Sequence, residues 1–167
     1  MPSTKNKGQK AMDNVNRLRV GLIAPPIFLD DSEGKKVDSS SFLGKNKLVV
    51  VFYKADKDSL DWLEELNKSR DKIELSNGLI LAISPQGPRG MEALKQKRGL
   101  DFPLLYDKKS ETISAYGVLD TSSEKGEPHP ATFIADRLGI IRYRKVYADY
   151  RDKPTAKEIV SFLEEVT

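Results

Sequence analysis

Six consecutive apolar residues, Leu48-Val49-Val50-Val51-Phe52-Tyr53, constrain this chain more than any other segment. Successive side chains of a strand point to opposite faces, so a half-buried strand alternates apolar and polar residues. This run does not alternate, and it predicts a strand covered on both faces. It is also far too short to span a bilayer. Leu79–Ile83 reads the same way, and two such strands require helices above and below one sheet.

The rest of the chain supplies them. Asp58 or Ser59 is placed to cap a helix carrying Leu63, Leu66 and Ile73 on one face, ended by Asn77-Gly78. Pro85–Gly90 leads into a helix bearing Met91 and Leu94 and closed by Gly99. Leu104–Tyr106 is short and extended, and Glu111–Tyr116 is a brief helix ended by Gly117. Two strands, Ala131–Asp136 and Ile140–Val146, flank Arg137-Leu138-Gly139, and a last helix starts near Pro154 with Ile159, Phe162, Leu163 and Val166 inward. Upstream, Ile27–Leu29, the turn Asp31-Ser32-Glu33-Gly34 and Lys36–Val37 form a β-hairpin, and Ser39–Leu43 makes one helical turn stopped by Gly44. The predicted fold class is α/β: a mixed central sheet with helices on both faces and an N-terminal β-hairpin, over residues 20–167. No G-x-G-x-x-G follows the first strand and no G-K-S/T occurs, so neither nucleotide loop is present.

Charge and cysteine usage narrow the chemistry. The chain holds 28 Lys and Arg against 25 Asp and Glu, and residues 1–19 carry a net +4, which leaves the remainder near neutral. Residues 1–19 read as a basic flexible tail with no apolar run for a signal or anchor, and the expected location is cytoplasmic. The domain carries no charge field of the kind that attracts nucleic acid. There is no cysteine, which excludes disulfides, thiolate-bound metal and thiol nucleophiles. The single histidine, His129, removes any site needing two imidazoles.

Several segments, taken in order, resemble the peroxiredoxin family, the alkyl hydroperoxide reductase and thiol-specific antioxidant group within the thioredoxin-like fold. Val20-Gly21-Leu22-Ile23-Ala24-Pro25-Pro26-Ile27-Phe28 is similar to its V-G-x-x-A-P-x-F opening. Val49–Tyr53 resembles the strand that delivers the active-site loop, and Ile83-Ser84-Pro85 the next strand's end. Phe102-Pro103-Leu104-Leu105-Tyr106-Asp107, Ala115-Tyr116-Gly117-Val118 and Ala131-Thr132-Phe133-Ile134 with Asp136 and Gly139 match three further motifs. The resemblance spans roughly residues 20–166 and implies a thioredoxin-like fold, a thiol peroxidase ancestry and a homodimer.

The family's catalytic motif is P-x-x-x-T-x-x-C, with the cysteine at a helix N-terminus where the dipole favours the thiolate. Counting from Phe52-Tyr53 without a gap places Lys54 at the Pro, Asp58 at the Thr and Asp61 at the Cys, with Glu64 where the family often has Glu. Leu66 falls where some members place a resolving cysteine, and Pro130 where many carry an Arg. Lys54, Asp58, Asp61 and Pro130 therefore replace all four catalytic parts, and a carboxylate cannot reduce a peroxide.

The replaced positions have simpler readings. Asp58 and Asp61 form either an acidic pocket for a cation or basic partner residue, or ordinary helix N-terminal charges; capping explains both, and spacing offers no further metal ligand. Lys54, Asp56 and Lys57 share this loop; its two lysines are placed to neutralise the acids, and a solvated charge cluster is the simpler account of them all. Trp62 is either a partly exposed partner anchor or part of the core rim. Pro130 stands where thioredoxin-like proteins carry a cis-proline, with both isomers open, and His129 reads as a lone imidazole in a polar loop. Arg142-Tyr143-Arg144-Lys145-Val146-Tyr147 interleaves basic and aromatic residues; as a hairpin strand its alternate faces account for that.

The expected function is binding without catalysis: a peroxiredoxin-like protein that engages a protein partner through the former active-site surface, with Asp58, Asp61, Trp62 and His129 as candidate contacts. No cofactor and no metal are expected. The alternative is a thiol-dependent peroxidase represented here by a cysteine-less variant. Weak nucleic-acid association through the tail and Arg142–Tyr147 is a distant third reading.

Overall fold

The computed structural model describes residues 18–167. The hairpin is β1 (Phe28–Asp31) and β2 (Lys36–Asp38), followed by a 3-10 turn at Ser39–Phe42. Then come β3 (Lys47–Phe52), α1 (Lys57–Lys68), α2 (Arg70–Leu75), β4 (Gly78–Ser84), α3 (Pro88–Arg98), β5 (Leu104–Tyr106) and α4 (Glu111–Ala115). β6 (Ala131–Ala135), β7 (Ile141–Val146), a 3-10 turn at Tyr150–Asp152 and α5 (Ala156–Glu165) complete the chain. One seven-stranded sheet runs β2-β1-β5-β4-β3-β6-β7. β3, β4 and β5 are mutually parallel, and β6 lies antiparallel to β3.

β3 explains its own composition. Val49, Val51 and Tyr53 face Trp62, Leu63, Leu66, Ile159 and Leu163 on one side of the sheet. Val50 and Phe52 face Ile113, Tyr116 and Phe133 on the other. All six residues of β3 are buried, so the strand alternates in direction without alternating in polarity. Phe52, Tyr116 and Phe133 form a tilted aromatic cluster with centroids 5.1–5.8 Å apart.

Three boundaries differ from the sequence reading. The helix expected to begin at Asp58 or Ser59 is capped by Asp56, whose side chain accepts the Ser59 N–H at 2.8 Å. That helix also breaks at Ser69, whose N–H tightens onto the Leu66 carbonyl, and restarts at Arg70. The last helix starts at Ala156 rather than Pro154, because Thr155 and Glu158 close a capping box. Residues 1–17 of the expected basic tail lie outside the described residues. No helix among the described residues is long and apolar enough to cross a membrane.

Candidate functional site

The carboxyl end of β3 brings three of the family-equivalent positions, Lys54, Asp58 and Pro130, to one cleft, while Asp61 lies outside it. Phe52 pairs with Ala131 of β6, so Tyr53 and Lys54 leave the sheet beside His129 and Pro130. The loop after Lys54 enters α1 under the Asp56 cap. A cleft of about 340 Å³ at this end is lined by Lys54, Asp56, Asp58, Pro130, Ala148, Asp149 and Tyr150.

Each replaced position has a structural partner or place. Lys54 Nζ lies 3.0 Å from Asp120 Oδ2 and joins the loop after β3 to the loop before β6. Burial opposes the Asp120 charge, but hydrogen bonds from Ser122 and Lys54 hold its carboxyl down at about 2. Lys54 is thus engaged away from Asp58, contrary to the neutralising role expected of it. Asp58 lies exposed in the first turn of α1 and complements the helix dipole.

Asp61 points outward. Its carboxylate meets Lys57 at 2.8 Å and Arg98 of α3 at 3.0 Å, and Arg98 also reaches Glu64 at 3.1 Å. The Lys57 hydrogen bond, then that from Arg98, holds the Asp61 carboxyl below the usual carboxylate range. The inward residue of the first turn is Ser59, fully buried. Its hydroxyl accepts the Lys54 N–H at 3.1 Å and shares a hydrogen bond with the Tyr150 hydroxyl. Burial pushes the Tyr150 phenol well above its ordinary value.

Trp62 is 1% exposed, which withdraws it as a partner anchor. Position 62 shares the inward face with Leu63 and Leu66, and the Lys153 ammonium sits 4.9 Å above its ring. Trp62 Nε1, the Tyr147 hydroxyl and Thr132 Oγ1 face one another in the core without closing a normal hydrogen bond. Pro130 is buried and, like every described residue, follows a trans peptide bond. His129 is half-buried, and its backbone N–H donates to the Val118 carbonyl at 2.7 Å. Burial, then the Lys54 charge, lowers the His129 imidazole, with Asp120 opposing them.

Arg142 is tied to Asp136 at 2.7 Å, and the Tyr143 ring packs on Phe162 at 5.3 Å. Tyr143 is therefore part of the β7–α5 contact rather than a free stacking platform. Among the described residues no group of three or more His, Cys, Asp or Glu side chains is arranged to hold a metal ion.

The sequence reading took Ser59 only as a helix cap and Tyr147 only as part of a basic–aromatic strand, and it passed over Asp120 and Tyr150. Ser59 was findable: positions 59, 62, 63 and 66 form an i, i+3, i+4, i+7 face, which also leaves Asp61 outside. Asp120 is 66 residues from Lys54 along the chain, and no local pattern marks it.

The comparisons agree with this geometry. A profile described as the AhpC/TSA family matches residues 20–144. Peroxiredoxin Bcp of Escherichia coli K12 is 26% identical over 156 residues, covering 90% of this chain and 99% of that protein. A putative peroxiredoxin bcp of Coxiella burnetii is 29% identical over 131 residues, covering 74% of this chain and 85% of that protein. Among solved structures, peroxidoxin BcpB from Mycobacterium tuberculosis superposes with a TM-score of 0.79 at 17% identity, covering 90% of this chain and 99% of that one. The mitochondrial 2-Cys peroxiredoxin of Plasmodium falciparum gives 0.77 at 22% identity, covering 88% and 93%. The family match over most of its length, carried on a thioredoxin-like sheet, shows that this chain belongs to the AhpC/TSA family, and it does so with no cysteine anywhere in its sequence.

Proposed function

We propose that this chain is a non-catalytic AhpC/TSA family member that binds a protein partner through the surface at the carboxyl end of β3. The supporting observation is the occupation of the four family-equivalent positions. Lys54 is held by Asp120, Asp61 by Lys57 and Arg98, Asp58 sits in a helix first turn, and Pro130 is buried. Two-electron reduction of a peroxide needs a nucleophile that can be oxidised, and carboxylates at 58 and 61 offer none. Asp58, Asp61 and His129 remain the candidate contacts, and Trp62 is not among them.

The exposed acids Asp58 and Asp61 at the start of α1 favour a partner that presents a basic residue. The same proposal places the protein in the cytoplasm, as a homodimer. Hydrogen peroxide and alkyl hydroperoxide turnover with a thioredoxin system tests the first half, and no rate above background is expected. Saturable turnover lost in Asp61→Ala would overturn it and support the oxidoreductase reading. Affinity capture with the intact protein and with Asp58→Lys tests the second half: a partner retained by both defeats the surface assignment. Sedimentation tests the homodimer.

A further inference from the structure

Five of the seven large apolar side chains that stand exposed among the described residues gather in one place. They are Val20, Leu22, Ile23, Leu43 and Leu138, and backbone hydrogen bonds tie their three segments together. The Gly21 N–H donates to the Ile141 carbonyl at 2.8 Å, and the Ile141 N–H to the Leu22 carbonyl at 2.9 Å. The Ala24 N–H reaches the Gly139 carbonyl at 2.8 Å, and the Gly44 N–H the Arg137 carbonyl at 2.7 Å. Leu43 lies against the Gly139 turn, where a Cβ would stand 3.1 Å from its Cδ2. Exposed apolar side chains scattered singly need no explanation, but a cluster marks a contact surface.

The cluster surrounds a cavity. Exposed Ile23, Leu43 and Leu138 stand at its mouth, and about 210 Å³ of space lies between them and buried Leu48, Val50, Tyr116, Phe133 and Ile141. No charged side chain lines it. Its hydroxyls are already bonded within the chain: Tyr116 to the Pro25 carbonyl, Ser39 to the Ile27 N–H and Ser40 to the Asp38 carboxylate. An apolar cavity of about 150 Å³ is enough to hold benzene, so this one takes the ring of a single phenylalanine.

The charge on these segments is one-sided. Lys47 Nζ donates to the Leu163 carbonyl, and Arg142 pairs with Asp136. Arg19, Lys45 and Arg137 make no ion pair among the described residues. The acid beside the cavity, Asp38, accepts the N–H and the hydroxyl of Ser40. An exposed apolar rim wider than the cavity suits an occupant that covers both, and unpaired cations beside it favour acidic groups next to the apolar one. We infer that this end of the fold docks a segment of a partner protein, which seats one phenylalanine-sized side chain in the cavity and sets acidic residues against Arg19, Lys45 and Arg137. The site lies at the amino end of β3, the far end of that strand from Lys54, and does not rest on the function proposed above.

The test titrates the full chain, isotope-labelled at its methyl groups, with acetyl-Glu-Glu-Phe-Glu-Glu-amide. Saturable shifts at Ile23, Leu43 and Leu138 are expected. The same peptide with alanine for phenylalanine should bind at least about tenfold more weakly, and with glutamine for glutamate about threefold or more weakly at low salt. Ile23→Ser and Leu138→Ser, at positions 77% and 74% exposed, should each weaken the phenylalanine peptide about threefold or more while thermal unfolding verifies their fold. Lys45→Glu should weaken the acidic peptide and leave the glutamine peptide unchanged. No saturable shift up to about 10 mM overturns the proposal. So does equal binding of the alanine peptide, which would mark charge attraction alone, or of the glutamine peptide, which would remove the acidic partner. Methyl shifts that follow protein concentration without peptide would assign the patch to a second copy of the chain. Binding to phosphatidylglycerol vesicles that is lost in Ile23→Ser would assign it to a lipid surface, and either result overturns the proposal.

Discussion

Lys54 Nζ and Asp120 Oδ2 stand 3.0 Å apart, joining the loop that follows the central strand to the loop that precedes β6. In the family pattern the residue at 54 is a proline, which carries no charge. Here it is a cation whose partner lies 66 residues downstream. The pair sits where the two loops frame the family-equivalent positions, with Asp120 the more buried member at 13% exposed.

That pair predicts an acid-dependent stability. Asp120 is held at about 2 in the fold, below the ordinary 3.8 of an aspartate, so the folded state favours its charged form. Its contribution is present above about pH 4 and is lost as pH falls toward about 2, amounting to about 2 kcal/mol. Denaturant titrations of wild type and Asp120→Asn should differ by that order near neutrality and converge in acid. Curves that stay parallel to the lowest pH would contradict the assignment.

Ser59 and Tyr150 predict a coupled loss. Ser59→Ala leaves the hydroxyl of half-buried Tyr150 and the Lys54 N–H without their partner, and should destabilise by about 1–2 kcal/mol. Tyr150→Phe should cost a similar order, and the double variant less than the two together. Thermal unfolding of the three variants measures the coupling directly.

Asp61→Cys tests whether a thiol at the family's cysteine position suffices for peroxide reduction in this chain. The side chain at 61 sits outside the sheet contact, beside Lys57 and Arg98, so the new thiol should alkylate readily. With Lys54, Asp58 and Pro130 unchanged, it should show no saturable peroxide reduction. A peroxidase rate from this single change would mean that Asp61 already lies within a working site.

Gly78→Ala probes the seam between α2, α5 and the sheet. A Cβ at 78 would stand 2.8 Å from both Ile73 Cγ2 and Leu163 Cδ1, and 3.1 Å from the Ile73 carbonyl oxygen. The two side chains can give only by repacking, so a loss of about 1–3 kcal/mol is expected. Equilibrium unfolding would check it, and a neutral result would mean this seam repacks freely.

Local patterns along the chain were enough for the sheet's core strands, the order of helices and strands, the αL glycine at position 99 and the absence of thiol chemistry. Each depends on neighbours in sequence: side-chain direction repeats every two residues in a strand, φ is restricted at a single residue, and a missing sulfur is missing in any conformation. The helix break at Ser69 and the late start at Thr155 were harder, because competing caps differ by about 1 kcal/mol and tertiary contacts decide between them.

The site divided along the same line. The residues assigned to the family's catalytic positions, at 54, 58, 61 and 130, were read from the linear sequence, and so was the inability of a carboxylate to reduce peroxide. The burial of Trp62, the outward turn of Asp61 and the Lys54–Asp120 pair were settled only by the tertiary structure. Charge partners join segments tens of residues apart, and a linear pattern carries no distance between them.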